Sequence, residues 1–185
     1  MPLEDLSFAS LESLIRQHLS TTEEESTSAL IRRLRSARAR GHLTRTELRA
    51  IGRWKSARAI GQMAANSPAR VRRATKMALR TRSERIRLQA LLSLRGVSVP
   101  MASAILTLLY PRRYGVIDIR VWQLLHGVGA VTRKPNGVGF TYDHWNEFLS
   151  IVRSFAKKHG VKARDIERAL FEAHRHYQKG RLYDR

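Results

Sequence analysis

The stretch LLSLRGVSVPMASAILTLLYPRRYGVIDIRVWQLL, residues 91–125, decides the fold. Apolar residues recur at helical spacing on both sides of a short turn, Arg95-Gly96-Val97, which has a glycine at its centre. Pro111 ends the second apolar segment, because proline lacks the N–H that would continue a helix. The pattern predicts one helix from Ser83 to about Leu94 and a second from Ser98 to Leu109.

A third helix is predicted to follow from Asp118 to about His126, after a short extended segment at Val116-Ile117. Residues 127–140 are rich in glycine and have no hydrophobic period, which favours a mobile loop or a small hairpin around Asn136-Gly137.

Helix signals also dominate the rest of the chain. Capping boxes predict a helix from Thr22, ended by Gly41, and another from Thr44 that runs toward Asn66 with a bend near Gly52 or Gly61. The other predicted helix starts are Ser7, Ser67-Pro68, Thr141 and Ala163. Because no series of strands is evident, the sequence predicts an all-α protein, arranged as an orthogonal helical bundle.

Arginine dominates the charge of the chain. The 35 lysines and arginines, of which 28 are arginine, exceed the 15 acids and give a net charge of +20. Residues 1–31 hold six acids and one base, whereas residues 32–95 hold nineteen bases and two acids. Guanidinium groups suit phosphate contacts, so this composition favours a polyanionic partner. An arginine-rich composition inherited from a GC-rich genome is the alternative.

Several classes of site and location are disfavoured by composition. The chain has no cysteine, which excludes disulfides, iron–sulfur clusters and cysteine zinc sites, and its seven histidines are scattered. We therefore expect neither a metal nor an organic cofactor. No apolar run approaches the roughly 20 residues that cross a bilayer, and the acidic start lacks the basic segment of a secretory signal. The sequence thus predicts a cytoplasmic, nucleoid-associated monomer with no membrane partner.

The turn in the opening stretch has the chemistry of an anion site. The helix after it begins with small residues, so its N-terminal N–H groups and positive dipole end are accessible to a phosphate. The candidate DNA-backbone contacts here are Arg95, Gly96, Val97, Ser98, Pro100 and Ala102. The alternative is an ordinary corner between two helices with a glycine C-cap.

The same stretch resembles a known enzyme family. Leu94-Arg95-Gly96-Val97-Ser98 is similar to the Leu-Pro-Gly-Val-Gly hairpin of the helix-hairpin-helix DNA glycosylase superfamily, the endonuclease-III-like group, and residues 101–106 match the start of its second hairpin helix. Val116-Ile117-Asp118 with Arg120-Val121 resembles the family's Val-Asp-Thr-His-Val block, and residues 54–58 lie where the family has a Lys-Ala helix start. The resemblance covers roughly residues 45–127 and implies a helix-hairpin-helix motif inside the bundle.

The resemblance implies that Asp118 is catalytic, activating a water and stabilising positive charge on the sugar as a base leaves. Aspartate is also a favoured helix N-cap, and both roles can coexist. Pro100 occupies the place of the lysine nucleophile of lyase-type members, which implies base removal without amine-driven strand cleavage. The N-terminal part is short, and no strand-penetrating wedge is identifiable in it.

Other candidate contacts are more loosely indicated. Arg112, Arg113 and Lys55 could meet phosphates, although each could equally be a solvated surface cation. Trp122 and Tyr142 could line a base pocket, with core packing as the alternative.

The sequence predicts two regions of the chain and leaves three hypotheses for its function. Residues 1–43 are expected to form N-terminal helices, acidic and then arginine-rich, and residues 44–185 the glycosylase-like domain, in one compact unit overall. The first hypothesis is a monofunctional DNA glycosylase, and the alternative is a non-catalytic DNA-binding protein of the same fold. A third, an RNA-associated basic protein, is disfavoured because no aromatic strand platform is evident.

Overall fold

A computed structural model describes residues 10–178, and all regular structure in that range is helical. The all-α prediction is therefore confirmed. The helices are α1 Leu11–His18, α2 Glu25–Arg33, α3 Arg35–Arg40, α4 Arg45–Lys55, α5 Ile60–Ala64, α6 Pro68–Arg80, α7 Glu84–Leu92, α8 Val99–Leu109, α9 Ile119–Gly127, α10 Tyr142–His159 and α11 Ala163–Tyr177. Within the described range, no helix is both long enough and apolar enough to span a bilayer.

The chain divides into two compact units. Thr22–Pro111, with α2 to α8, form the central unit, and residues 10–21 and 112–178, with α1 and α9 to α11, form the terminal unit. The predicted boundary after residue 43 falls inside the central unit. There α2 and α3 pack on α8, and the Leu43 N–H donates to Thr75 Oγ1 at 3.0 Å. The N-terminal arginine-rich helices thus share a core with the segment that follows them.

The central unit is organised around α8. Every residue of α8 except Pro100 is buried, as expected for a helix that is apolar on all sides. Helices α2, α3, α4 and α7 all contact it. The turn that joins α7 to α8 therefore leads directly into a buried helix.

Of the two capping boxes predicted in the central unit, one is confirmed and the other is wrong. The Thr44 box is confirmed, with Thr44 N–H donating to Glu47 Oε2 at 2.7 Å, and Gly41 ends α3 in the left-handed conformation. The Thr22 box is wrong, because α2 begins at Glu25 with Glu24 as its N-cap. The helix thus starts two residues later than predicted, and the carboxylate of Glu24 accepts from the hydroxyls of Ser26 and Thr27.

The helix predicted to run from Thr44 toward Asn66 is also wrong. Helix α4 ends at Lys55, extended Ser56 follows, and a short 3-10 turn, Ala57–Ala59, leads into α5. A Cβ atom at Gly52 would lie 2.8 Å from Met63 Sδ. Gly52 therefore marks the close approach of α5 to α4, which requires the chain to turn back between them.

The terminal unit packs around α11, which contacts α1, α9 and α10. Its buried aromatic side chains include Trp122, Trp145 and Phe148. Helix α1 begins after Ser10, whose side chain accepts from Ser13 N–H. The predicted cap Ser7 lies outside the described residues.

The loop between α9 and α10 is fastened to α9 and contains no strand, so the hairpin alternative is wrong. Trp122 Nε1 donates to Arg133 O at 2.9 Å, and Gln123 Nε2 donates to Asn136 O at 3.2 Å. A Cβ atom at Gly137 would lie 2.9 Å from Ile119 O, so the loop tip packs directly on the first turn of α9. These contacts explain how a glycine-rich segment without a period is held in place.

Candidate functional site

The turn between α7 and α8, residues 93–98, requires glycine at its centre. Gly96 has φ of +75°, a region that L side chains rarely adopt. A Cβ atom there would also lie 2.9 Å from Gln62 Cβ and 3.0 Å from Met63 N. Two independent constraints therefore place glycine at this position, and the backbone of α5 lies directly against the turn.

Buried Asn66 holds the α7–α8 turn through two reciprocal hydrogen bonds. Its Oδ1 accepts from Arg95 N–H at 2.9 Å, and its Nδ2 donates to Arg95 O at 2.9 Å. Nδ2 also donates to Met63 O at 3.0 Å. Sequence reasoning missed this residue, because Asn66 precedes the Ser67-Pro68 helix start and resembles an ordinary loop residue.

The first turn of α8 has no side-chain cap. Ser98 is the N-cap residue, but its hydroxyl makes no capping hydrogen bond, and Pro100 lies in the first turn. Arg95 and Ser98 are exposed on either side of half-buried Gly96, whereas Val97 and Ala102 are buried. A ligand at this turn would therefore meet the Arg95 and Ser98 side chains and backbone N–H groups, while Val97 and Ala102 pack in the core.

Lys55 also lies in the central unit, as the half-buried last residue of α4. The resemblance implied a helix start at residues 54–58, but the structure has the end of α4 and the 3-10 turn there. Trp54 Nε1 donates to Thr27 Oγ1 at 2.8 Å, which gives this tryptophan a packing role within the unit.

Asp118 belongs to the terminal unit and caps α9. Its Oδ1 accepts from Arg120 N–H at 3.1 Å and from Val121 N–H at 3.2 Å. The side chain is half-buried. The N-cap interpretation of Asp118 is confirmed, and its catalytic role stays a prediction. The cap fixes the carboxylate at the positive end of the α9 dipole.

A second carboxylate, Glu167 on α11, is buried close to Asp118. Burial raises the pKa of Glu167, the charge of Asp118 adds to the rise, and the ion pair with Arg164 and the Val116 N–H oppose it. A Cβ atom at Gly115 would lie 2.6 Å from Glu167 Cβ. Glu167 thus holds the extended segment that leads to Asp118, a role that local sequence patterns did not indicate.

His174, also on α11, is buried beside the first turns of α9. Its Nδ1 lies 3.4 Å from Arg120 Nη1, and its Nε2 lies 3.2 Å from Gln123 Oε1. Because a guanidinium can only donate, Nδ1 is the acceptor and Nε2 carries the proton. Burial, reinforced by the Arg120 charge and opposed by Asp118, lowers the pKa of His174 to about 4.

Acid should therefore destabilise the protein through His174. The pKa of this imidazole falls from 6.5 when unfolded to about 4 when folded. Between these values the unfolded chain binds a proton that the folded chain does not, so the free energy of unfolding decreases as the pH falls through that window. At about 1.4 kcal/mol for each pH unit, the loss from pH 7 to pH 4 is about 3 kcal/mol.

Urea unfolding of the wild type and His174→Gln across this pH range measures the effect. The variant should lose about 3 kcal/mol less on acidification, since glutamine does not titrate. His18 and His144, whose pKa values burial also lowers, are present in both proteins and cancel in the comparison. Parallel stability curves for the two proteins would contradict the assignment.

The remaining predicted residues also lie in the terminal unit. Trp122 is fully buried and packs edge-on against Phe140 and His144, so core packing is the role that its surroundings support. Tyr142 is half-buried, with its ring 6.2 Å from that of Trp145. Arg112 and Arg113 are exposed.

The predicted contacts are thus divided between the units. The central unit holds the α7–α8 turn and Lys55, and the terminal unit holds Asp118, Arg112, Arg113, Trp122 and Tyr142. Within residues 10–178, no group of three or more histidine, aspartate or glutamate side chains is placed to bind a metal ion. Comparisons with protein-family models, curated proteins and solved structures found no match to the chain.

Proposed function

We propose that the chain binds duplex DNA through the α7–α8 turn and hydrolyses the N-glycosidic bond of a damaged or modified base with Asp118. In this interpretation α7, the turn and α8 form a helix-hairpin-helix within an orthogonal bundle. The observation that carries the proposal is the left-handed Gly96, packed against Met63, beside an N-terminus of α8 that no side chain caps.

A backbone phosphate fits the chemistry of this turn. Uncapped N–H groups and the dipole of an eleven-residue helix attract an anion, and Arg95 adds an exposed positive charge beside them. The hydrogen bonds from Asn66 fix the Arg95 backbone before any ligand arrives. A preorganised turn loses little conformational entropy on binding, which favours affinity.

Asp118 has the chemistry for the hydrolytic step. Its carboxylate accepts a proton from water as the water oxygen bonds to C1′ of the sugar. The bond from C1′ to the base breaks, and the electron pair leaves with the base. The negative charge of Asp118 also stabilises the cationic sugar that develops in the transition state. The cap bonds from Arg120 and Val121 orient the carboxylate for both tasks.

The product should be an abasic site in an intact strand. Strand cleavage by a lyase route needs a side-chain amine that forms a Schiff base with C1′. Proline at position 100 supplies no such amine. Alkali, rather than the protein, would then be required to break the strand.

A second candidate is DNA binding without turnover. Asp118 Oδ1 already accepts two backbone hydrogen bonds, which is sufficient reason for aspartate at this position. The α7–α8 turn and the arginine-rich residues 32–95 would then account for the function alone.

A panel of lesions separates the two candidates. The protein is incubated with labelled single-stranded and duplex oligonucleotides that each carry uracil, hypoxanthine, 8-oxoguanine, an alkylated purine or a modified cytosine. Hot alkali then cleaves abasic sites. Strand breaks on at least one lesion, seen only after alkali, would support the glycosylase and name its base. Tight, salt-sensitive binding with no abasic product on any substrate would support binding alone.

A further inference from the structure

The terminal unit contains a basic cleft, defined by Arg112, Arg113, Arg153 and Lys157, with a volume of about 520 Å³. These cations come from two separate segments, the turn after α8 and the last two turns of α10. Among the described residues, no acidic side chain lines the cleft. Four like charges around one cavity repel each other, so their arrangement is favourable when an anion is bound between them.

Two hydrogen bonds to backbone carbonyl groups hold the cleft in place. Arg153 Nε donates to Arg113 O at 2.8 Å, and Ala163 N–H donates to Arg112 O at 3.3 Å. Both carbonyls of the 112–113 segment are therefore fastened to α10 and to the start of α11. These contacts fix the backbone positions of the two arginines, which a binding site requires.

An aromatic ring supports two of the four cations. Tyr114 is buried and stacks on Trp145 at 6.2 Å with an interplanar angle of 4°. The guanidinium carbons of Arg113 and Arg153 lie 5.6 and 4.9 Å from the centre of the Tyr114 ring. Such cation–π contacts orient a guanidinium in advance of binding and reduce the entropy that a phosphate contact would cost.

Among the four cations of the cleft, Lys157 is the one whose position has a simpler explanation. It lies in the last turn of α10, where a cation compensates the negative end of the helix dipole. Arg112 and Arg113 belong to a different segment and are not explained in this way.

We propose that the basic cleft binds phosphate groups, and that in the intact protein these are backbone phosphates of DNA at a contact separate from the α7–α8 turn. The second part rests on the proposed function. Free phosphate or a small phosphorylated molecule is the other source of the same chemistry. The cleft residues would contact backbone phosphates and so position the protein on DNA, without contributing to sequence specificity.

The first test is the salt dependence of DNA binding by Arg112→Ala/Lys157→Ala. Both side chains are exposed, so the variant should fold. The matched control is Lys158→Ala/Arg175→Ala, which removes two exposed cations of the same unit that pair with Glu12 and Glu172. The slope of log K against log salt is negative, and each lost phosphate contact reduces its magnitude by about 0.9. We expect the magnitude to fall by about 1–2 in the cleft variant and to show no comparable change in the control.

The second test uses inorganic pyrophosphate and ¹⁵N-labelled protein. Amide shifts in residues 112–114 and 157–161 that occur in the wild type and are lost in the cleft variant would support the cleft even if the chain binds no DNA. Pyrophosphate shifts in a chain that binds no DNA would reject the proposed function and favour a small phosphorylated ligand. Equal salt slopes in the cleft variant and its control, together with no pyrophosphate shifts, would overturn the inference.

Discussion

Replacing Asp118 by asparagine is expected to lower base removal by about 10²–10⁴-fold, the usual contribution of a positioned acid or base. Asparagine cannot take a proton from water and carries no charge to stabilise the cationic sugar. Its Oδ1 can still accept from the N–H groups of Arg120 and Val121. Because asparagine and aspartate are equally good N-caps, stability should change little. The measurement is the single-turnover rate of abasic-site formation on the lesion that the wild type processes.

The control for this variant is Asp118→Ala, which removes the cap as well as the charge. It should lose the same activity and, in addition, about 1 kcal/mol of stability. DNA affinity at fixed salt should be unchanged in Asp118→Asn, because no step of binding uses this carboxylate. Wild-type rates in Asp118→Asn would leave Asp118 as a helix cap only and would favour the non-catalytic candidate.

Local signals in the sequence predicted the starts of several elements. Thr44, Ser67, Ser83 and Asp118 each accept hydrogen bonds from N–H groups two or three residues along the chain. Such contacts depend only on neighbouring residues, so a short pattern contains the information that determines them. The same reasoning identified Gly96, whose left-handed turn is also a local property.

Contacts between distant residues could not be predicted in this way. Asn66 reaches Arg95 across 29 positions, and His174 reaches Arg120 across 54. The close approach of α5 to Gly52 of α4 likewise joins two separate elements. Propensity is a weak prior that tertiary packing overrides. The sequence therefore indicated Asp118 and the α7–α8 turn but not the buried groups that hold them.

Alanine at position 96 is expected to destabilise the central unit far more than alanine at position 41. Both glycines have positive φ, +75° and +77°. A side chain in this conformation costs about 1–2 kcal/mol at either site. A Cβ atom at Gly41 would have no atom within 4 Å, whereas one at Gly96 would press on the backbone N of Met63 at 3.0 Å. Overpacking of this kind adds about 1–3 kcal/mol.

Urea unfolding of Gly96→Ala and Gly41→Ala separates the cost of overpacking from the cost of the left-handed conformation. The second cost is common to both variants and cancels in the difference between their free energies of unfolding. Gly96→Ala should lose about 1–3 kcal/mol more than Gly41→Ala. DNA affinity, measured at a temperature where both variants are folded, should decrease only for Gly96→Ala. Relief of the clash would move the α7–α8 turn away from Asn66 and displace the N–H groups that the proposal assigns to the phosphate. Equal losses of stability would mean that the turn can shift without cost, and unchanged affinity would remove the α7–α8 turn from the DNA interface.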